Sequence, residues 1–169
     1  MAQETPATQR KARIDALLLK LPGAKAKSIN GDHLPIGQAR ITRPGKHATV
    51  VAYSAMVHEA VRAADRLAQD GWEIEVVDLR SVKPLDLDTV LASVARTGRC
   101  VIVHEAPRTA GFGAEIAAQL AEKAMFDLVA PVERVTGFDT HIPLFRLEMK
   151  YLPSVEKIIA AVKRTLAVS

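Results

Sequence analysis

From His47 onward, short β-branched runs alternate with amphipathic helical stretches, and this alternation constrains the fold more than any single motif. His47 to Tyr53 reads as a buried strand, Ala55 to Gln69 as a helix, and Glu73 to Leu79 as a second strand. Gly71 is placed to close the first helix. Asp86 is placed to cap a second helix that runs to about Arg96 with Leu87, Val90, Leu91 and Val94 on its apolar face, and Gly98 ends it. Cys100 to Val103 is a third strand, Ala114 to Met125 a helix, and Val132 to Val135 a short last strand. Ser154 caps a C-terminal helix whose core face is Val155, Ile158, Ile159, Val162 and Leu166. Arg40-Ile41-Thr42 is a short strand ahead of these units, ended by Pro44-Gly45. On the first helix, Val57, Val61, Ala64, Leu67 and Ala68 form the expected apolar face. Strands that alternate with helices imply a mainly parallel sheet covered on both faces.

In such sheets ligands gather at the carboxyl ends of strands. The segment His104 to Glu115, H-E-A-P-R-T-A-G-F-G-A-E, stands at one of them, between the run Cys100-Val101-Ile102-Val103 and a helix. Each polar feature there has two readings. His104 and Glu105 can move protons as an acid-base pair, or they can fix the turn. Gly111-Phe112-Gly113 resembles half of a phosphate cradle, but a dinucleotide loop needs a third Gly where Ile116 stands, so close packing on the helix start is the better reading. Asp78 and Arg80 can clamp a ligand, but an ion pair that fixes their own loop is the better reading. The five His show no metal-ligand spacing. His141 with Phe138, Phe145 and Tyr151 is expected to form a partner-facing surface. Cys100, the sole cysteine, sits in a core strand and reads as a buried apolar residue, so no intramolecular disulfide can form.

Charge and composition narrow the classes further. The net charge is +4, and residues 1–29 hold all of it, with six basic against two acidic side chains. The remainder carries 17 of each sign, so the globular part has no bias toward nucleic acid. Ile14, Leu17, Leu18 and Leu21 mark a basic amphipathic helix stopped by Pro22-Gly23. Residues 1–30 are therefore expected to be a helix and linker ahead of a domain over 31–169. No apolar run approaches a membrane span, and a cytoplasmic location is expected, with the mitochondrial matrix as the lesser alternative.

The segment H-E-A-P-R-T-A-G-F-G-A-E-I also resembles the C-terminal domain of the beta subunit of the first, decarboxylating component of 2-oxo acid dehydrogenases, of pyruvate or branched-chain type. That domain has the transketolase C-terminal fold. Matching stretches occur in order, from Leu34-Pro35-Ile36-Gly37-Gln38-Ala39 through Val50 to His58 and Val77 to Asp86, then Val135 to Asp139 and Tyr151 to Val155. The resemblance covers roughly Gly31 to Leu166. It implies a three-layer α/β/α sandwich, with a mainly parallel five-stranded sheet and one antiparallel edge strand. The implied activity is thiamine-diphosphate-dependent oxidative decarboxylation of a 2-oxo acid, with acyl transfer to lipoyl groups. In this family thiamine diphosphate and Mg are bound by the alpha subunit and the N-terminal domain of the beta subunit. None of the thiamine-contacting residues maps onto a position here, and Gly31-Asp32 lacks the rest of the metal-binding motif. The chain alone is thus expected to bind no cofactor, to have no catalytic residue and to be inactive by itself. The expected partners are the alpha subunit, the cofactor-binding domain and the acyltransferase core, in an oligomer, with no nucleic acid or membrane. His104, Glu105, Arg108 and Phe112 are the candidate interface or active-site-mouth residues. Two other classes compete: a free-standing binding or regulatory module that reuses the fold, and a small nucleotide-binding enzyme.

Overall fold

The apolar runs become strands because β-branched residues fit a pleated surface buried on both sides. In the computed structural model, which describes residues 36–143 and 145–168, they form one five-stranded sheet. Its strands are β1 (Arg40–Arg43), β2 (Ala48–Ala52), β3 (Ile74–Asp78), β4 (Cys100–Pro107) and β5 (Glu133–Gly137), in the order β1-β3-β2-β4-β5. β2, β3, β4 and β5 are parallel, and β1 pairs antiparallel with β3 at one edge. The expected amphipathic helix at Ile14–Leu21 and the Leu34-Pro35 part of the first matching stretch lie outside the described residues.

Among the described residues five α-helices flank the sheet: α1 (Met56–Gln69), α2 (Leu87–Thr97), α3 (Phe112–Lys123), the short α4 (Glu148–Tyr151) and α5 (Val155–Leu166). Strand alternation sorts the core into two layers. Val50, Val76, Val101 and Val103 face α1 and α5, whereas Val51, Val77 and Ile102 face α2 and α3. The chain moves outward from β2 to β3, then returns to lay β4 on the other side of β2. The strand order therefore reverses between β2 and β4, where open α/β sheets have their ligand crevice.

The helix ends follow local chemistry. Asp86 accepts hydrogen bonds from Thr89 N (3.2 Å) and Thr89 Oγ1 (2.8 Å) at the start of α2. Ser154 Oγ accepts from Lys157 N (3.3 Å) at the start of α5. Gly71, at φ +84°, closes α1: its N–H donates to Ala68 O and Trp72 N–H donates to Leu67 O, both at 3.0 Å. Gly98 does the same for α2 at φ +67°.

Several boundaries differ from expectation. β4 does not stop at Val103 but continues through Ala106 to Pro107, because β5 pairs with it as far as Pro107 opposite Gly137, across a register irregularity. His104 and Glu105 are thus strand residues rather than loop residues. The following connection is short, and α3 begins at Phe112 rather than Ala114. The last strand is Glu133–Gly137, shifted toward the C-terminus. On α1 the buried face includes Met56, Ala60 and Ala63, while Ala68 is exposed and Val61 only partly buried. Alanines lie on both sides of this helix, so their spacing alone did not fix its rotation.

A polar cluster lies under α2, toward the amino ends of the strands. Glu75 accepts from Ser93 Oγ and Arg96 Nη2, each at 2.5 Å. Thr49 Oγ1 lies 2.6 Å from Ser93 Oγ and 2.8 Å from Thr97 Oγ1. Glu75, Thr49, Ser93 and Thr97 are buried, and their mutual hydrogen bonds satisfy groups that would otherwise be costly inside a core.

Candidate functional site

The carboxyl ends of β2 and β4 bring Tyr53 and His104 together at the reversal point of the sheet. Their rings stack with centroids 6.1 Å apart and planes 15° from parallel. Phe112, the first residue of α3, meets Tyr53 edge-on at 6.1 Å. His104 is wholly buried, and neither ring nitrogen has a well-formed hydrogen bond. Burial holds its pKa below the ordinary histidine value, and the Arg134 charge acts in the same direction. A contact with the Ala106 backbone opposes this more weakly. The nearby amino end of α3 also disfavours a cation.

Two glycines make room for the imidazole. A Cβ on Gly113 would overlap His104 Nε2 and come 2.5 Å from Cδ2, and one on Gly111 would come 2.7 Å from Cε1. The space above Gly111 and Gly113 is therefore filled by His104 and not left for a phosphate. Their role is close packing, and Ile116, in the place of the third glycine, is a core residue.

His104, a candidate interface or mouth residue, has no exposed surface in this chain. Nor does it form an acid-base pair with Glu105, since no hydrogen bond joins the two. Glu105 and Phe112 are partly exposed and Arg108 is exposed. Arg108 Nη1 donates to Arg134 O and Arg134 Nη1 donates to Arg108 O, both at 3.1 Å. Thr109 N and Oγ1 donate to Asp139 at 2.7 Å each, and these bonds hold the Asp139 carboxyl below its usual range.

The connections after three parallel strands are strained. Ser54, Arg80 and Ala110 have φ values of +58°, +58° and +57° after β2, β3 and β4, a left-handed conformation that costs about 1–2 kcal/mol for a non-glycine residue. Sequence patterns gave no sign of this clustering, because none of the three is Gly or Asn. Asp78 fixes its own loop, accepting from Arg80 N at 3.0 Å with the Arg80 side chain at 3.8 Å. Burial pushes the Cys100 thiol up to about 12, so it is not a nucleophile at neutral pH. Phe138 and His141 are exposed, whereas Tyr151 is 2% exposed and packs against Gly137 and Phe138, so it forms no part of a partner-facing surface. The side chain of Phe145 lies outside the described residues. Among the described residues no three His, Cys, Asp or Glu side chains gather as a metal site would require. Nor is any of their helices long and apolar enough to cross a membrane.

Residues 37–158 match the family described as transketolase, C-terminal domain. The chain belongs to this family. Over 133 residues this transketolase C-terminal domain is 47% identical to the pyruvate dehydrogenase E1 component subunit beta of Staphylococcus epidermidis, covering 79% of this chain and 41% of the relative. It is equally 47% identical to the 3-methyl-2-oxobutanoate dehydrogenase subunit beta of Mycobacterium tuberculosis, covering 78% and 38%. The chain thus spans about two fifths of the length of these curated relatives. Among solved structures, a split-gene transketolase described as an inactive beta4 tetramer superposes with a TM-score of 0.72 at 29% identity, over 82% of this chain and 44% of that one. A 2-oxoglutarate:ferredoxin oxidoreductase from Magnetococcus marinus shares the fold at a TM-score of 0.52 and 12% identity, over 97% and 24%. The transketolase C-terminal domain accounts for the mixed five-stranded sheet and for the ordered motifs around Val50, Asp78, His104 and Val135.

Proposed function

We propose that this domain serves the first, decarboxylating component of a 2-oxo acid dehydrogenase as the C-terminal portion of its beta subunit. The observation that carries this is the 47% identity to beta subunits of two such enzymes across nearly the whole described domain. The activity it serves is oxidative decarboxylation of pyruvate or a branched-chain 2-oxo acid, with thiamine diphosphate and Mg held by partner chains. Among the described residues no three His, Cys, Asp or Glu side chains gather to hold a magnesium ion, and no catalytic step is assigned to these residues. In this reading acyl selectivity is set mostly outside this domain, and the equal identity to a pyruvate and a branched-chain subunit supports that.

Its own contribution is assembly and the shape of the active-site entrance. Glu105, Arg108 and Phe112 are the surface residues of that role, and His104 supports them from beneath as a positioning residue. Exposed apolar side chains support an assembled state. Phe138, Ile142, Leu147 and Met149 lie along the segment after β5, with Met149 79% exposed. Such surface usually belongs to an interface.

The deciding experiment is the native mass of the untagged protein recovered from its source cells, with the co-purifying chains identified. A large assembly that contains a thiamine-dependent alpha subunit is expected. A monomer or simple homodimer would overturn the assignment and leave a free-standing module.

A further inference from the structure

Three cations around one hollow are held by backbone carbonyls rather than by direct ion pairs. The hollow, about 490 Å³, lies between β5 and α5, beside the carboxyl ends of β4 and β5. Arg108, Arg134, Lys157 and Arg164 line it, with Asp139 as the lining carboxylate. Asp139 accepts from Thr109 N and Oγ1, which leaves its charge in place, and the Arg108 charge acts on it. Arg164 is balanced by a two-pronged pair with Glu133, at 3.1 and 2.9 Å. Arg108, Arg134 and Lys157 form no ion pair with any described carboxylate. Backbone carbonyls fix them instead. The two arginines donate to each other's carbonyl, as described above. Lys157 Nζ donates to Lys150 O and Leu152 O at 3.1 Å and lies 4.9 Å from the centre of the Phe138 ring.

Positive side chains also guard edge strands against pairing with other chains, and β5 is an edge. A guard works when its charge reaches out into water. Here the charges are anchored back onto the backbone around a concave space of a size usual for small-molecule sites. Neutral carbonyls lock the geometry, and Arg108, Arg134, Lys157 and Arg164 outnumber the Asp139 and Glu133 carboxylates whose charge they meet, so the hollow keeps a positive excess that suits an anion. Each arginine has used one N–H of its fork on a carbonyl, and the remaining donors match the spacing of phosphate oxygens.

We propose that this hollow binds the phosphate group of a small-molecule ligand, with Arg108 and Arg134 as its clamp and Lys157 as the third positive charge. This goes beyond the subunit assignment and does not depend on it.

The test is a titration of the ¹⁵N-labelled full chain, followed by amide chemical shifts. The titrants are inorganic phosphate, pyrophosphate and a sugar phosphate, each against KCl of matched ionic strength. Saturable shifts centred on residues 134–139 and 108–109 are expected with at least one of them, and comparison of the three separates free phosphate from an organic ester. Arg134→Gln and Lys157→Met should each weaken binding about tenfold or more, the usual scale for losing a hydrogen bond between charged groups. The wild-type shift map needs no variant, so a misfolded Arg134→Gln does not remove the test. Shifts that stay linear, or that KCl reproduces, would overturn the proposal. So would an acidic peptide that saturates the same amides when none of the phosphates does, since the hollow would then be a protein-docking surface.

Discussion

The fit between His104 and Gly113 can be tested as a coupling energy. Alanine at Gly113 would place a methyl group on the His104 ring and 3.1 Å from Ile102 Cγ2. Ile102 is fully buried and the imidazole is wedged between Tyr53 and the start of α3, so neither neighbour yields easily. Overpacking of this kind costs about 1–3 kcal/mol. Against it stands the helix preference of Ala over Gly, at most about 1 kcal/mol. Gly113→Ala alone should therefore destabilise by up to about 2 kcal/mol. In a His104→Ala background only the 3.1 Å approach to Ile102 Cγ2 remains, and the same substitution should cost much less. The double-mutant cycle, measured by urea denaturation of the full chain, should give a coupling of about 1–3 kcal/mol, free of the separate cost of His104→Ala. Additivity within about 0.5 kcal/mol would refute the contact.

Three further outcomes are expected. His104 has a depressed folded pKa, so on acidification the unfolded chain takes up its proton first; stability should fall as pH drops below about 6.5, by at most about 1.4 kcal/mol per pH unit, and stop falling at the folded pKa. Urea melts of wild type and His104→Phe across this range isolate the slope, and an imidazole NMR titration midpoint at or above 6.5 in the folded protein would contradict it. Arg96→Ala should cost about 2–3 kcal/mol although Arg96 is half-exposed, because it leaves the buried Glu75 carboxylate with a hydroxyl donor alone; a loss under about 0.5 kcal/mol would show that Ser93 suffices. Asp86→Ala should cost about 1–2 kcal/mol through the α2 cap, and it also removes the acceptor of Ala39 N–H at 2.9 Å; thermal melts that match wild type would rule out a working cap.

What could be read in the sequence was what local chemistry decides. Asp86, Ser154, Gly71 and Gly98 act within one helical turn of themselves, and each ends or begins a helix as its residue type requires. The apolar runs of β2, β3 and β4 are buried on both faces, so no phase error could hide them. The extension of β4 was not legible, because His104-Glu105-Ala106-Pro107 is polar and proline-terminated, and only pairing with the distant β5 makes it strand. The burial of Tyr151 depends likewise on the bare backbone of Gly137, where a Cβ would overlap the phenol ring. His104 lies between these cases. Gly-x-Gly at a helix start signalled a close approach, but not that the approaching group was the histidine of the preceding strand.

That histidine also explains how the loop above it stays in place. The connection from Arg108 to Gly111 includes a left-handed alanine, which is unfavourable unless its ends are fixed. At one end Arg108 and Thr109 bind Arg134 and Asp139 on and after β5. At the other, Gly111 and Gly113 seat on an imidazole that has no freedom to move. Binding at the Arg108 end and packing at the Gly113 end are thus two ends of one constrained segment. An anion drawn to Arg108 and Arg134 should therefore shift the Gly111 and Gly113 amides as well, and a titration confined to Arg108 and Arg134 would mean that the segment is not rigidly coupled.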